Sequence, residues 1–493
     1  MGNYFFSDWL KPRWFLTCFG LLLLIPAIIF PISGHDWQRV ALFTTSTICF
    51  LKLASRSGAQ LFLLPFSARA RCVGGGILFL GIFSALLSHH AGWAFVEVAL
   101  LITCCCIGIA IAFERRDLGV KFDEILISLV VLLCAAKSMQ FIAGATAAFT
   151  NGVGILDTTL LFEGFSNRRT YGHLQTFTLP LLAFPLLSKS ISNRQKSCLI
   201  ALLICWWVIA IAGGTRGTWL GMGAAGLALC FCGPSGRRWV GWQAATALVG
   251  CLFYWLIFSE LSSYLGIQTL NPAGERLTTN LSAREIIWQQ AVSMIETRPL
   301  LGFGPMQFAD IANPIAAHPH QSVLQWASEW GIPSVLLLGW LVLKGLNATV
   351  SLIQSTVHST EPANQLRICL FASLVGALAQ SMVDGIIVMP YSQLWLCTVI
   401  GWLVGLHRWQ PLASPVNKTY LRCSLAAMGG AVVFLGFVVA SDVPLLKTNR
   451  QLYQSEFGGH FQPRFWMQGV IADTSAQQLL HDESPDKFFS KPK

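Results

Sequence analysis

Along this chain, apolar residues do not alternate with polar ones at a helix or strand period. They come in nearly unbroken runs of roughly twenty residues, recurring about every thirty. A run of that length is what the hydrocarbon core of a bilayer requires of one helix. We read about thirteen such spans, starting near Trp14, Val40, Val73, Trp93, Glu124, His173, Cys198, Gly217, Trp239, Ile332, Ile368, Leu394 and Ser424. The predicted fold class is an all-α polytopic membrane protein of about 12–13 transmembrane helices, with a large periplasmic loop containing surface helices. The chain then divides into N-terminal transmembrane helices over 1–258, the large loop over 259–331, C-terminal transmembrane helices over 332–440 and a last segment over 441–493.

Composition strengthens this picture. Of 493 residues, 54% are hydrophobic and only 11% charged, whereas a soluble domain carries about a quarter charged residues. An ordinary soluble enzyme is excluded. The first run has no small-residue cleavage site after it and further runs follow at once, so it reads as a span and not as a removable signal. The 15 cysteines fall in apolar runs or at their edges, Cys104, Cys105, Cys106, Cys230 and Cys232 among them. Their scattered spacing predicts neither a disulfide framework nor a zinc site, and they read as small core residues.

Charge sets the expected topology, because Lys and Arg collect in cytoplasmic loops. A cytoplasmic N-terminus gives a consistent alternation: Lys11 and Arg13 precede the first span, Lys52, Arg56, Arg69 and Arg71 follow the second, and Arg115, Arg116 and Lys121 the fourth. Lys189, Arg194 and Lys196 follow the sixth, Arg237 and Arg238 the eighth, and Arg408, Lys418 and Arg422 the twelfth. The net charge of +10 is thus mostly topology and gives no reason to expect nucleic acid as a partner. Basic residues on the predicted outer face are few and nearly all arginine: Arg39, Arg168, Arg169, Arg216, Arg276, Arg284 and Arg298. The planar guanidinium fork pairs with phosphate or carboxylate through two hydrogen bonds, so the set points to an anionic ligand. The plainer reading is pairing with Glu163, Glu260, Glu275 or Glu296.

Three outer segments could build a site. In the long interruption, Ser282 and Glu285 have capping-box spacing and open a helix reading SAREIIWQQAVSMIETRP. Trp288, Ala291, Val292 and Ile295 are its predicted apolar stripe, and Pro299 stops it. Arg284 falls in the first turn, where orphan N–H groups and the helix dipole also favour an anion. The loop ends in AHPHQSVLQWASEWGIP, where Pro319 suits a first helical turn and Gly331 a helix end. His320 is then expected near a helix N-terminus, where the dipole disfavours imidazolium and leaves the ring able to accept a proton. The bland alternative is an interfacial histidine held by hydrogen bonds, which is also the better reading of His318. Elsewhere, FEGFSNRRTYGHLQT brings Arg168 and Arg169 to the outer end of the sixth span, and AGGTRGTWLG holds Arg216 in a glycine-rich turn.

These residues resemble the O-antigen ligase family of bacterial membrane glycosyltransferases, which includes protein O-oligosaccharyltransferases and is related to O-antigen polymerases. The family pattern is a histidine followed by Asn, Ser or Gln, nine residues, a glycine, two residues, then Gly, Thr or Tyr. Here it is His320, Gln321 and Gly331, with Ser334 departing at the last place. ETRPLLGFGP (Glu296 to Pro305), GGTRG and SAREIIW match further family segments, and the likeness covers roughly Asn167 to Leu406.

The resemblance implies transfer of a glycan from an undecaprenyl-pyrophosphate carrier to an acceptor at the periplasmic face of a bacterial inner membrane. It implies His320 as general base, and Arg216 and Arg284, then Arg169 and Arg168, as pyrophosphate ligands. His318, Gln321 and Asp384 would be supporting residues. No cofactor and no metal is expected, because no Asp-x-Asp or outward metal-ligand cluster is legible. NRRTYGHLQTFTLPLL and QWASEWGIP look more like members that glycosylate pilin-like proteins. Ligation to lipid A-core and chain polymerisation share the same donor and stay open. A transporter or flippase is the reading from another class, resting on ionisable residues inside spans. Lys137 and Glu97 are the two that stand out, and pairing with each other is their expected role. Asp384 either orders an arginine, contacts the acceptor or simply ends a helix. The segment from Ser441 onward, with Phe457, Phe461, Phe465 and Trp466, either docks on the outer face or stays partly disordered.

Overall fold

A computed structural model of the chain describes residues 12–29, 34–56, 67–188, 191–270, 284–310, 315–407, 418–457, 462–469 and 471. Ser282, Glu275, Arg276, Lys11, Lys189, Arg408 and Phe461 lie outside the described residues, as does the side chain of Phe457. The described elements run α1 (Pro12–Ile28), α2 (Gly34–Ala54), α3 (Ala68–Leu86), α4 (Ala91–Leu118), α5 (Val120–Thr150), β1 (Ile155–Asp157), α6 (Arg168–Leu182), α7 (Asn193–Ala212), α8 (Arg216–Cys230) and α9 (Gly233–Trp255). They continue with β2 (Gln268–Leu270), α10 (Arg284–Thr297), α11 (Ser322–Trp330), α12 (Ile332–Ser355), α13 (Pro362–Ser381), α14 (Pro390–Gly405), α15 (Lys418–Asp442) and α16 (Leu446–Phe457).

Every one of the predicted apolar runs is a helix. Among the described residues eight helices are long and apolar enough to cross a membrane: α3, α4, α5, α7, α9, α12, α13 and α15. The other runs fall short for physical reasons. Helices α6 and α8 have 15 residues each and α14 has 16. At 1.5 Å per residue they reach only about 22–24 Å, less than the ~30 Å of a hydrocarbon core. Helix α1 has 17 residues, and α2 buries the polar side chains His35, Asp36, Gln38 and Arg39. The strand pair was not anticipated: β1 and β2 run parallel, with Ile155 opposite Gln268.

The chain forms two compact units: Met1–Ser67, Leu101–Asn280 and Val342–Gly436 make the first, and Ala68–Leu100, Leu281–Leu341 and Phe437–Lys493 the second. In the first unit α6 is buried nearly all round, the signature of a core helix and not of a surface one. Pro180 lies inside it, and neighbouring carbonyls are met by side chains of α9. Trp239 Nε1 donates to Pro180 O at 3.1 Å and Gln243 Nε2 to Leu179 O at 2.8 Å. Irregular backbone at membrane depth needs such partners.

Lys137 does not pair with Glu97 as expected. Its ammonium donates to Ala27 O (3.0 Å), Glu163 O (2.6 Å) and Gln140 Oε1 (2.7 Å), so three oxygens of its own unit satisfy its three N–H groups. Glu97 faces Arg464 of the second unit at 3.9 Å. Arg39 likewise does structural work, donating to Gln393 Oε1 and Val388 O from a buried position.

In the second unit α10 lays Ile287, Ala291 and Met294 against Phe308 and Ala316, with Trp288 and Leu324 flanking. The stripe is turned by about one residue from the predicted one, so Val292 is exposed. The ETRPLLGFGP segment closes the end of α11. Phe303 N donates to Ser328 O (2.9 Å), Gly304 N to Glu329 O (3.0 Å), and Ile332 N back to Pro299 O (2.8 Å). The first two bonds satisfy carbonyls that the C-terminus of α11 leaves orphaned.

Gly331 has φ 82° and ψ 160°, and a Cβ there would stand 2.1 Å from Leu300 O. That backbone region is essentially reserved for glycine and costs other residues about 1–3 kcal/mol before any clash. Gly331→Ala should therefore lower the melting temperature of the detergent-solubilised protein by several degrees. An unchanged melt would mean that the strap over α11 yields easily.

Candidate functional site

In the second unit, three local features hold His320. Gln321 is the N-cap of α11, its Oε1 accepting from Leu324 N at 2.5 Å. His320, the residue before it, takes a left-handed φ of 55°, a conformation that histidine and asparagine tolerate better than most residues. Its N–H donates to Nδ1 of buried His318 at 3.3 Å, and the two rings meet edge to face at 4.1 Å. That bond engages the Nδ1 lone pair of His318. Trp288 Nε1 donates to Pro319 O at 3.0 Å, which ties this turn to α10 one helical turn from Arg284. Arg284, the first residue of α10, and His320 are thereby drawn to the same corner of the unit, and both are half-buried.

The far end of α11 is anchored by charge. Glu329 is fully buried, its Oε1 accepting from Phe308 N (3.2 Å) and its Oε2 from Arg464 Nη2 (2.6 Å). Arg464 is itself 1% exposed and reaches Glu97 Oε1 at 3.9 Å. Burial pushes the Glu329 carboxyl up from its ordinary 4.5 to about 7, with Arg464 opposing that rise and Glu97 adding to it. The same two carboxylates overcome the desolvation of Arg464 and raise its guanidinium further. Phe465 and Trp466 cover the cluster from the last segment: Phe465 packs on Trp93, and Trp466 Nε1 donates to Asp442 Oδ2 at 2.7 Å.

In the first unit, arginines again stand at helix starts. Asn167 caps α6, its side chain accepting from Arg169 N and Thr170 N, so Arg168 and Arg169 are the first two helical residues. Arg216 is the first residue of α8. Thr218 Oγ1 donates to Gly172 O at 2.9 Å, and a Cβ on Gly172 would lie 2.6 Å from Thr215 Oγ1. That close approach sets the first turn of α8 about one helical turn (~6 Å) from Arg168 and Arg169. Arg168 is buried, Arg169 and Arg216 half-buried. Next to them, His173 of α6 forms a buried bridge, Nε2 standing 3.2 Å from Asp384 Oδ2 and Nδ1 3.0 Å from Ser392 Oγ.

The residues singled out in the sequence thus fall into two sets. Arg284, His318, His320 and Gln321 share the second unit; Arg168, Arg169, Arg216 and Asp384 share the first. Some details differ from expectation. Pro319 precedes α11 instead of opening it, because Gln321 takes the cap and helical geometry begins only at Ser322. Asp384 is engaged by His173 and by the N–H of Gly385 (2.8 Å). His173, Glu329 and Arg464 were missed. The available signals were a charged residue inside an apolar surface (Glu329) and a lone arginine among aromatics, in FQPRFW.

The architecture defines a multi-pass helical membrane protein with cationic helix starts. Residues 200–339 match the family model described as Wzy_C, O-antigen ligase. The match covers Arg216, Arg284, His318, His320, Gln321 and Gly331 but neither Arg168, Arg169 nor Asp384. The match spans 140 of the 493 residues, and this stretch of the chain is similar to the O-antigen ligase family. No curated protein matches it significantly.

Proposed function

We propose that the protein takes a glycan from an undecaprenyl-pyrophosphate carrier and joins it to a serine or threonine hydroxyl of a pilin-like protein at the periplasmic face. The observation that carries this reading is that Arg168, Arg169 and Arg216 occupy the first turn of a helix, and Arg284 is the first described residue of another. A cation there opposes the helix dipole. An anion offsets that cost, because it takes charge from the guanidinium, the dipole and the orphan N–H groups together. A pyrophosphate matches such donors in charge and geometry.

In the proposed reaction His320 accepts the acceptor hydroxyl's proton as that oxygen attacks the anomeric carbon. The new C–O bond forms as the bond from the anomeric carbon to the pyrophosphate oxygen breaks. The electron pair leaves with the carrier, where the arginines neutralise the growing charge. One such displacement inverts the anomeric centre, and arginine takes the role that a divalent ion has in other glycosyltransferases.

The test supplies purified protein with the lipid-linked glycan and offers pilin-like protein and lipid A-core in separate reactions. Transfer to the protein acceptor is expected, with Arg216→Ala and Arg284→Ala each lowering kcat about 10²–10³-fold, as loss of a charge-stabilising donor does. Transfer to lipid A-core alone would reassign the acceptor. Transfer to neither, or full activity in both variants, would sink the reading.

A further inference from the structure

We propose that His89, His90 and Asp310 form a binding site for a divalent transition metal of the zinc class. The inference stands apart from the catalytic reading, since none of the three residues has a role in the proposed transfer step. His89 and His90 occupy the turn between α3 and α4, and Asp310 closes the short helical turn Gln307–Asp310, 221 positions later. Nothing in the local sequence announces the grouping, because the ligands come from opposite sides of the long intervening chain.

Three observations point to a metal. First, one ligand atom from each residue lies within 4.8 Å of the other two, with His89 Nδ1 3.0 Å from Asp310 Oδ2 and His90 Nε2 2.9 Å from Asp310 Oδ1. Tetrahedral ligands bonded to zinc at 2.0–2.1 Å sit about 3.3 Å apart, so the two histidine–carboxylate separations are already close to those of ligands sharing one ion. Second, His90 Nε2 is buried and makes no aligned hydrogen bond, although Asp310 Oδ1 is close to it. His90 Nε2 is thus available to an ion, while His89 Nδ1 shares a hydrogen bond with Asp310 Oδ2 that a metal would replace. Third, the buried side chain of Gln307 clamps His90 from both sides. Gln307 Oε1 accepts from His90 N (3.0 Å) and Nε2 donates to His90 O (3.3 Å). Metal sites depend on such supports to aim their ligands.

Two imidazoles and one carboxylate select a borderline ion such as Zn²⁺ over Mg²⁺ or Ca²⁺, which prefer all-oxygen shells. His89 is 76% exposed at its side chain, so the fourth position opens to solvent. The ion would staple the α3–α4 turn to the segment that follows the strap over α11.

The experiment uses full-length, tag-free protein in detergent, stripped with chelator and titrated with Zn²⁺ by calorimetry and with Co²⁺ by visible absorption. We expect one equivalent bound, the intense d–d bands of a low-coordinate Co²⁺ site, and a melting temperature that rises with added zinc. His89→Ala, His90→Ala and Asp310→Asn should each weaken binding by about 100-fold or more, and Gln307→Leu by roughly 10–100-fold. His89 is exposed, so its variant folds even where the His90 or Asp310 variants do not. No stoichiometric binding by the wild type, or undiminished binding by His89→Ala, overturns the proposal. Because the readout is metal binding, failure of the transfer assay leaves this result standing.

Discussion

His320→Asn is expected to lower kcat for glycan transfer by about 10²–10⁴-fold, the typical worth of general-base assistance, while leaving the fold intact. Asparagine is the suitable replacement because it tolerates the left-handed φ of 55° found at this position and cannot take up a proton. The cap on α11 should survive, since it belongs to the side chain of Gln321. The N–H that binds His318 is main chain and is also retained. Two readouts separate a base from a structural histidine. Melting of the variant should match the wild type, and added imidazole should restore part of the activity in His320→Ala, where the ring has left a space. Normal turnover in His320→Asn would remove the histidine from the mechanism. Loss of melting together with activity, with no imidazole rescue, would make it structural.

Arg464→Met should be the most destabilising single change in the second unit. Removing one partner of a buried ion pair strands the other, at a cost of roughly 3–5 kcal/mol, and Glu329 is the carboxylate left behind. The effect should depend on pH in a defined direction. The carboxyl sits at about 7 in the folded protein against an ordinary 4.5, so between these values the native state keeps a proton that the unfolded chain releases. Stability therefore falls as pH rises through that window, by at most roughly 3 kcal/mol for a shift of this size. Without Arg464 the carboxyl rises further, so the variant's deficit should be small near pH 5 and largest above neutrality. Adding Glu329→Gln should recover most of the loss, because a neutral amide carries no buried charge. Melting curves of the single and double variants at acid and alkaline pH decide it; a pH-independent deficit would mean that packing, not charge, carries the anchor.

The sequence by itself determined where the helices lie. Apolar runs near bilayer length and their flanking prolines and glycines are local properties, so the runs near Trp14, Val73, Trp93 and Ile332 each correspond to a helix beginning within a few residues. It also indicated that Arg216 and Arg284 stand near helix starts, because caps and breakers act within a turn. Hydropathy alone overstated which runs are long enough to span, since α6 starts only after its Asn167 cap and α8 only after Thr215, leaving 15 helical residues in each.

Tertiary structure decided everything that joins distant positions. Whether Glu97 met Lys137 or Arg464 could not be read from either neighbourhood. Lys137 is buried and Glu97 half-buried, and only the fold shows that backbone oxygens help satisfy the lysine while a residue hundreds of positions on reaches the glutamate. The same holds for Glu329 with Arg464, His173 with Asp384, and the pair His89 and His90 with Asp310. Charge compensation and metal-ligand geometry act over a few ångströms of space, and spacing along the chain carries no record of them until the helices have packed.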